Sequence, residues 1–507
     1  MKRWVWLLAL SLALPAGADD KKKDEKKKDE KKPAAGAVAP SDLLKQADEK
    51  TAAGDVDGAL ELLRKAQGIE ATAGEASLRL GRALEAKYDL DVAIDAYRVA
   101  GEKLGGSAKG EALGRMAILQ DARGMADATA TAQAASAADP GGPWPTIAMS
   151  RLRAREGKGD EAVDLAQKAA AAGGGAAAST ALGYAQMARG DMAAAEAAYR
   201  EALAKTPGYA SATIGLARVL RRTARAAEAE PLLQKVIESA PGAVDAYKEM
   251  ARVKMALNRA SDAVGDASIA AAMAENDPDA QRLAIEVKAA KALESLGQGQ
   301  GAIAVQDLTA LRDQNPELAE VRLALAKALV AQRQADAAIV ELQKAADLDP
   351  KNAETLYQLG YVNLVLKGNP AGAVGPLEKA VALDPGNANY RTNLGAALNG
   401  QKQYDRAIAE LGKVTASPGY NRAEAWIYLG QAYVGAKRYK EAVPALEKAT
   451  AIAPNSDQAY ATLGWAYFGL KDADNFKKAA GKARSLGYKE PTLLQYLGRI
   501  EAGEPIK

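Results

Sequence analysis

The sequence predicts an all-α fold: an α-solenoid of about thirteen helix-turn-helix units followed by a C-terminal capping helix. Three columns of residues, kept in register along the chain, predict it. A small residue recurs as Gly81, Gly183, Gly360, Gly395, Gly430, Gly464 and Gly498. Alanine takes the same slot at Ala47, Ala217, Ala251, Ala290 and Ala326, with Met116 and Ser150 as departures. Successive slots lie 33 to 39 residues apart, most of them 34 or 35. A second small column follows twelve residues later, as Ala59, Ala93, Ala128, Ala162, Ala195, Ala229, Ala263, Ala302, Ala338, Ala373 (one residue late), Ala407 and Ala442, broken by Phe476. A proline closes many units, at Pro140, Pro207, Pro241, Pro278, Pro316, Pro350, Pro385, Pro418 and Pro454.

Each column has a physical reason. Glycine inside a helix costs about 1 kcal/mol relative to alanine, so its return at one register needs a packing cause. Two antiparallel helices that approach closely at both small columns supply that cause. Tyr97, Tyr199, Leu429 and Tyr433 are expected to fill the space around the contact. Proline lacks the amide proton a continuing helix needs, so it enforces the turn into the next unit. No single hairpin can bury its apolar face alone, and stacking on neighbours provides the core.

Taken in order, the chain opens with Lys2-Arg3, an apolar run from Trp4 to Leu14, and Pro15-Ala16-Gly17-Ala18. These are the three parts of a secretory signal peptide, residues 1–18, with cleavage expected before Asp19. The apolar run is too short to span a bilayer, which takes about 20 helical residues. No cysteine follows it for lipid attachment. Retention as an uncleaved anchor is the alternative. Residues 19–40 form a charged, then Pro/Ala-rich, stretch of interleaved lysines and acids that reads as a solvated tether. Contact with an anionic membrane or cell-wall polymer is the competing reading, weakened by the interleaved acids. The array follows over residues 41–500, ending in a lone first helix, Pro491 to Ile500, and a polar tail, 501–507. Between Ala251 and Ala290 the spacing is five residues longer than usual, which predicts an extended second helix over Ala263 to Asn276. Such an extension either divides the array into two rigid halves near 263–290 or bulges harmlessly from the convex face.

Composition narrows the chemistry. The 507 residues include no cysteine and no histidine. Cysteine nucleophiles, Ser-His-Asp triads, zinc sites built on Cys or His and covalent haem attachment are therefore excluded. Gly297-Gln-Gly299-Gln-Gly301 lacks a following Lys-Ser/Thr and follows no strand, so it reads as a turn rather than a nucleotide loop. No catalytic, cofactor-binding or metal site is expected, and no enzyme activity.

Trp426-Ile-Tyr-Leu429-Gly430-Gln-Ala-Tyr433, followed by Ala442, Leu446, Ala449 and Pro454, matches the pattern W-x2-L-G-x2-Y…A-x3-F…P with Leu446 in place of the aromatic. The chain thus resembles the tetratricopeptide repeat family over about nine-tenths of its length. That resemblance implies a right-handed superhelix whose concave wall is lined by the first helix of each unit. The residue after the small slot then points into the groove, giving Asp48, Arg82, Ala117, Arg151, Tyr184, Arg218, Arg252, Lys291, Lys327, Tyr361, Ala396, Gln431 and Trp465. From Arg151 to Lys327 this column is basic apart from Tyr184. Arg221, Arg222 and Lys248 are expected near it, and Tyr357 beside Tyr361 and Phe468 beside Trp465 make the C-terminal end aromatic.

Arg218, Arg252 and Lys291 are expected to face solvent. A cationic middle suits an extended acidic or carboxylate-bearing partner, because guanidinium groups grip carboxylates in bidentate fashion. A plain solvated helix face is the competing reading. The lysine/asparagine carboxylate clamp of chaperone-binding family members does not recur. The combined expectation is an exported periplasmic scaffold that docks proteins of an envelope machine of pilus, gliding-motility or polysaccharide-export type. Alternatives are an export chaperone that binds an anionic polysaccharide, or an accessory factor in peptidoglycan synthesis. Neither nucleic acid nor stable membrane insertion after cleavage is expected.

Overall fold

A computed structural model describes residues 39–506. The signal segment, and the tether up to residue 38, lie outside the described residues. Within them the chain folds into 27 α-helices and no strand. Unit 1 pairs α1 (Pro40–Ala52) with α2 (Val56–Gln67), and unit 2 pairs α3 (Ala73–Ala86) with α4 (Leu90–Lys103). Unit 3 is α5 (Gly106–Ala122) and α6 (Ala128–Ala138), unit 4 α7 (Pro143–Arg155) and α8 (Gly159–Ala171), unit 5 α9 (Gly175–Arg189) and α10 (Met192–Lys205). Units 6 and 7 are α11 (Ala210–Arg222) with α12 (Ala226–Ser239), and α13 (Val244–Ala256) with α14 (Ala260–Met273). Unit 8 pairs α15 (Pro278–Gly297) with α16 (Gly301–Gln314), and unit 9 α17 (Ala319–Ala331) with α18 (Ala335–Leu348). Units 10 to 13 are α19 (Ala353–Tyr361) with α20 (Pro370–Leu383), α21 (Ala388–Gly400) with α22 (Tyr404–Thr415), α23 (Ala423–Gly435) with α24 (Tyr439–Ile452), and α25 (Asp457–Gly469) with α26 (Ala473–Ser485). The lone helix α27 (Pro491–Glu501) closes the stack, covering the last unit with Leu493, Leu497 and Ile500.

The second small column is the seam of each hairpin, and eleven of its twelve alanines are fully buried at 0% exposure. The first column works differently from the expectation of a mutual close approach. What occupies the space beside the glycine is the large side chain sixteen residues on. A Cβ at Gly81 would sit 2.5 Å from the Tyr97 ring, one at Gly183 2.8 Å from Tyr199, and one at Gly430 2.4 Å from Leu446. Unit 13 exchanges the two roles. Phe476 takes the small position and Ala480 the large one, both fully buried, and a Cβ at Gly464 would meet Ala480 at an ordinary 3.5 Å. The break at Phe476 is therefore a swap of volume within one hairpin, which keeps the packed total unchanged.

Every hairpin turn passes through one residue in the left-handed region. Glycine takes it at Gly54, Gly124, Gly157, Gly190, Gly299 and Gly368, where no Cβ opposes the conformation. In the other seven units it is Tyr88, Ala224, Asn258, Arg333, Lys402, Lys437 or Lys471, with φ between 56° and 63°. This marker fixes the register more firmly than the glycine slot does, and it corrects unit 8. The extra residues there do not extend the second helix: α14 has 14 residues like most of its counterparts, whereas the first helix α15 has 20. The slot of unit 8 is consequently Ala292, paired with the buried Ala304, while Ala302 is exposed. The one-residue delay at Ala373 has its own cause. Residues Val362–Leu366, at the end of α19, form a π-helical turn that absorbs the inserted residue.

Candidate functional site

The first helices supply most of the inner wall, and from unit 2 to unit 7, with Asp279 at the start of unit 8, that wall lines a half-open cavity of about 830 Å³. Six consecutive groove positions line it: Arg82, Ile118, Arg151, Tyr184, Arg218 and Arg252. Unit 3 contributes Ile118 where the sequence column gave Ala117, which is buried at 1% exposure. Lys248, one turn before Arg252, also lines the cavity, as do Arg115, Arg155, Trp144 and Tyr209. Arg115 lies 3.4 Å over the Trp144 ring and Arg151 4.6 Å over Tyr184, so two guanidinium groups stack on aromatic faces.

The remaining predicted residues are not brought to this cavity. Arg221 and Arg222 sit at the end of α11, away from it. Lys291 is displaced by the register of α15, whose groove position on the corrected count is Leu293, two residues further on. Lys327 lies further along, with Nζ 3.1 Å from Glu354. Tyr357, Tyr361 and Trp465 belong to a second, aromatic stretch of wall. Tyr357 stacks on Tyr390 at 4.8 Å between ring centres and lies 6.0 Å from Tyr361. Trp465 packs edge-on against Phe468 at 5.6 Å and Tyr496 at 6.0 Å.

The cations are not the freely solvated groups the sequence suggests. Arg218 and Arg221 both engage Glu249, at 3.3 and 2.6 Å, and Glu249 has no exposure at all. Arg151 and Arg155 share Asp121, at 3.3 and 2.9 Å, with its side chain 3% exposed. Lys248 meets Asp277 at 2.9 Å, Asp245 at 3.1 Å and Asp279 at 3.2 Å, and Asp279 also holds Arg252 at 2.5 Å. Arg82 pairs with Glu111 at 2.5 Å, and Arg115 with Glu85 and Glu111, each at 2.8 Å. Burial works against the charge on Lys248, yet Asp245, Asp277 and Asp279 together raise its pKa above the ordinary lysine value. Burial likewise opposes the charge on Arg218, and Glu249, with Tyr199 and Asp245, outweighs it. The wall is a set of pinned cations, each backed by a carboxylate.

Sequence reasoning missed these carboxylates, although a signal was present. Arg82 and Glu111, Arg218 and Glu249, Lys248 and Asp277, and Arg252 and Asp279 are separated by 29, 31, 29 and 27 residues, about one repeat length. Stacking places such residues opposite each other on adjacent first helices. It also missed Arg115, Trp144 and Tyr209, which lie off the single column used. Among the described residues no cluster of acids is placed to hold a metal ion, and no helix is long and apolar enough to cross a membrane.

Tetratricopeptide-repeat family models match residues 44–107, 147–210, 180–246, 326–367, 363–421 and 401–465. The chain belongs to the tetratricopeptide repeat family. Tetratricopeptide arrays act as protein-interaction scaffolds, presenting one long concave wall assembled unit by unit. Among solved structures, Cut9–Hcn1 of the APC/C is similar at 15% identity, covering 91% of this chain and 96% of that one, with a TM-score of 0.42. MamA from Desulfovibrio magneticus RS-1 is similar at 24% identity over 36% of this chain and 95% of its own, TM-score 0.30. PilW, a type IV pilus biogenesis factor, is similar at 18% identity over 42% and 98%, TM-score 0.37. No curated protein matches the sequence.

Proposed function

We propose that this tetratricopeptide array is a non-catalytic scaffold of a bacterial cell-envelope machine, exported to the periplasm, whose inner wall in units 2 to 7 docks an acidic segment of a protein partner. One observation carries the docking reading: the groove positions of six successive units surround a single cavity, and four of those six are arginines. Their paired carboxylates, of which Asp121 and Glu249 are buried, hold the guanidinium heads in place, so binding loses less side-chain entropy than it would with free surface arginines. Aromatic faces at Trp144, Tyr184 and Tyr209 add rigid contact area to the charged wall. Export rests on the signal-type pattern of residues 1–18. The machine proposed is of the pilus, gliding-motility or polysaccharide-export type, by resemblance to long exported arrays.

The test is capture of partners from envelope extract, with and without prior digestion of polysaccharide. A protein retained after digestion, and lost with the Arg82→Gln/Arg155→Gln double variant, is the expected result. These two arginines are 46% and 45% exposed, and Arg115 still holds Glu111 and Arg151 still holds Asp121 when they are replaced, so neither carboxylate is left without a cation. Retention that requires intact polysaccharide would replace this reading with an export chaperone for an anionic glycan.

A further inference from the structure

Tyr88 stands apart from every other left-handed turn residue. The six other non-glycine residues at this position, Ala224, Asn258, Arg333, Lys402, Lys437 and Lys471, are all exposed. Tyr88, at φ 63°, is only 9% exposed. An aromatic side chain gains nothing locally from the left-handed region, where a Cβ crowds the following carbonyl, so its placement there needs a reason elsewhere in the molecule.

The reason lies four to five units along the chain. Tyr88 lines the same cavity as Tyr209 and Ser211 of the unit 5–unit 6 connection and Asp245 of unit 7, Tyr209 packs against the core cluster that holds Tyr88, and burial pushes the Tyr88 pKa well above the ordinary tyrosine value. The backbone closes there as well: a Cβ on Gly242 would meet the Tyr88 carbonyl oxygen at 3.9 Å. The apolar core records the same junction, since a single cluster joins residues of units 1 to 3 to residues of units 5 to 7 while unit 4 packs in separate clusters. Tyr88 and Leu90 line the cavity on one side and, on the other, a second hollow shared with Pro241, Gly242 and Val244. The Tyr88 turn is thus the partition between the inside of the superhelical turn and the outside.

We infer that units 2 to 7 form a clasped chamber, with Tyr88 as the clasp, which admits an acidic chain end along its axis and refuses the same acidic sequence when both of its ends are tied into a folded protein. The inference rests on the acidic-segment reading above and adds the form the segment must take. A groove open along its side accepts any exposed strand laid into it. A turn closed on itself accepts only what is threaded, and a loop anchored at both ends cannot be threaded.

The experiment compares two probes by titration calorimetry: a free linear tetraglutamate peptide, and the same four glutamates inserted in a surface loop of a folded carrier protein. Three proteins are titrated: the unaltered chain, Tyr88→Gly, and Lys402→Gly as the control for relieving a left-handed residue at an exposed turn. Glycine suits the backbone at position 88, so the variant removes the ring without straining the turn. The unaltered chain and Lys402→Gly are expected to bind the carrier-held probe at least ~10-fold more weakly than the free peptide, and Tyr88→Gly to bring the two within ~3-fold. Equal binding of both probes by the unaltered chain, or a difference that survives Tyr88→Gly, overturns the clasp and leaves the acidic-segment reading standing. Failure of both probes to bind any of the three proteins overturns that reading and the chamber with it.

Discussion

Units 2 to 7 and units 10 to 13 are built from the same hairpin, but their inner walls are held by different forces. In the first stretch, adjacent first helices are joined by ion pairs such as Arg218–Glu249, Arg151–Asp121 and Lys248–Asp277, the first two with a buried carboxylate. In the second, ring packing takes over, with Tyr357 on Tyr390 and Trp465 between Phe468 and Tyr496. The first stretch closes on itself through Tyr88, and its groove positions ring a single cavity. The difference teaches that nearest-neighbour stacking fixes the hairpin but leaves the groove column free. One chain can therefore carry a charged wall and an aromatic wall without changing its architecture.

The largest effect that would break this comparison is charge reversal in the first stretch. Arg218→Glu places a carboxylate against the buried Glu249 and is expected to destabilise units 6 and 7 by about 3–5 kcal/mol, the range for breaking a buried pair. Hydrogen exchange would show protection lost around α11 and α13 while units 10 to 13 keep theirs. Full protection in α11 and α13 would mean the pairs are solvated and contribute little.

The glycine column offers a sharper contrast inside the second stretch. Gly430→Ala drives a Cβ to 2.4 Å from the Leu446 side chain and is expected to cost about 1–3 kcal/mol, seen as a lower denaturant midpoint for unit 12. Gly464→Ala meets Ala480 at 3.5 Å and gains helix propensity, so it should be neutral or stabilising by up to about 1 kcal/mol. Equal losses at the two sites would show that the volume swap at Phe476 is not what relieves unit 13.

Acid should also separate the two stretches. At Glu111 burial alone would raise the pKa, but the hydrogen bond from Arg82 and the charge of Arg115 bring it below the usual glutamate value. Lys248 does the same for Asp277 against its burial. A carboxylate with a depressed folded pKa contributes stability that is present above its unfolded pKa of about 4 and is lost as pH falls through the folded value. Below pH 4, the first helices of units 3, 7 and 8 are therefore expected to lose exchange protection before α25 of unit 13, whose wall is held by rings that do not titrate there. Helix α26 is expected to fray at its start, because the pKa of its cap Asp472 is also depressed, by the backbone hydrogen bond from Asn475. Unit 11 is intermediate, because Glu410 is depressed by Lys413 and Arg391 against its burial.

The smallest effect is at the turns. Arg333→Gly and Lys402→Gly relieve an exposed left-handed residue at φ 58° and 59° and should each stabilise by about 0.5–1 kcal/mol, read as a higher melting temperature. A loss of stability at both would show that these side chains hold their turns by contacts.

Much of the fold was legible because a repeat prints its packing rule many times over. Gly81, Gly183 and Gly430 mark one register, and the buried alanines twelve residues later confirm it. Where a unit departs from the rule, one column is not enough. The extra turn in α15 shifted Lys291 off the groove position, and only the left-handed turn at Gly299, a matter of backbone conformation, restores the count. The cations Arg82, Arg151, Arg218 and Arg252 were legible as a column, whereas their neutralisation by Glu249, Asp121 and Asp279 depends on contacts between units. The closure at Tyr88 was not legible at all. It depends on how tightly the superhelix winds, a sum of small rotations that no local pattern records.

The account stands or falls on where an acidic chain end binds. Hydrogen exchange on the whole protein, with and without linear tetraglutamate, reads this directly along the array. Protection is predicted to rise in the first helices of units 2 to 7, around Arg82, Arg151, Arg218 and Arg252, and to fade as salt increases, since the Debye length falls from about 10 Å at 0.1 M to about 3 Å at 1 M. Protection that rises instead around Tyr357, Tyr361 and Trp465, or nowhere along the chain, would contradict it.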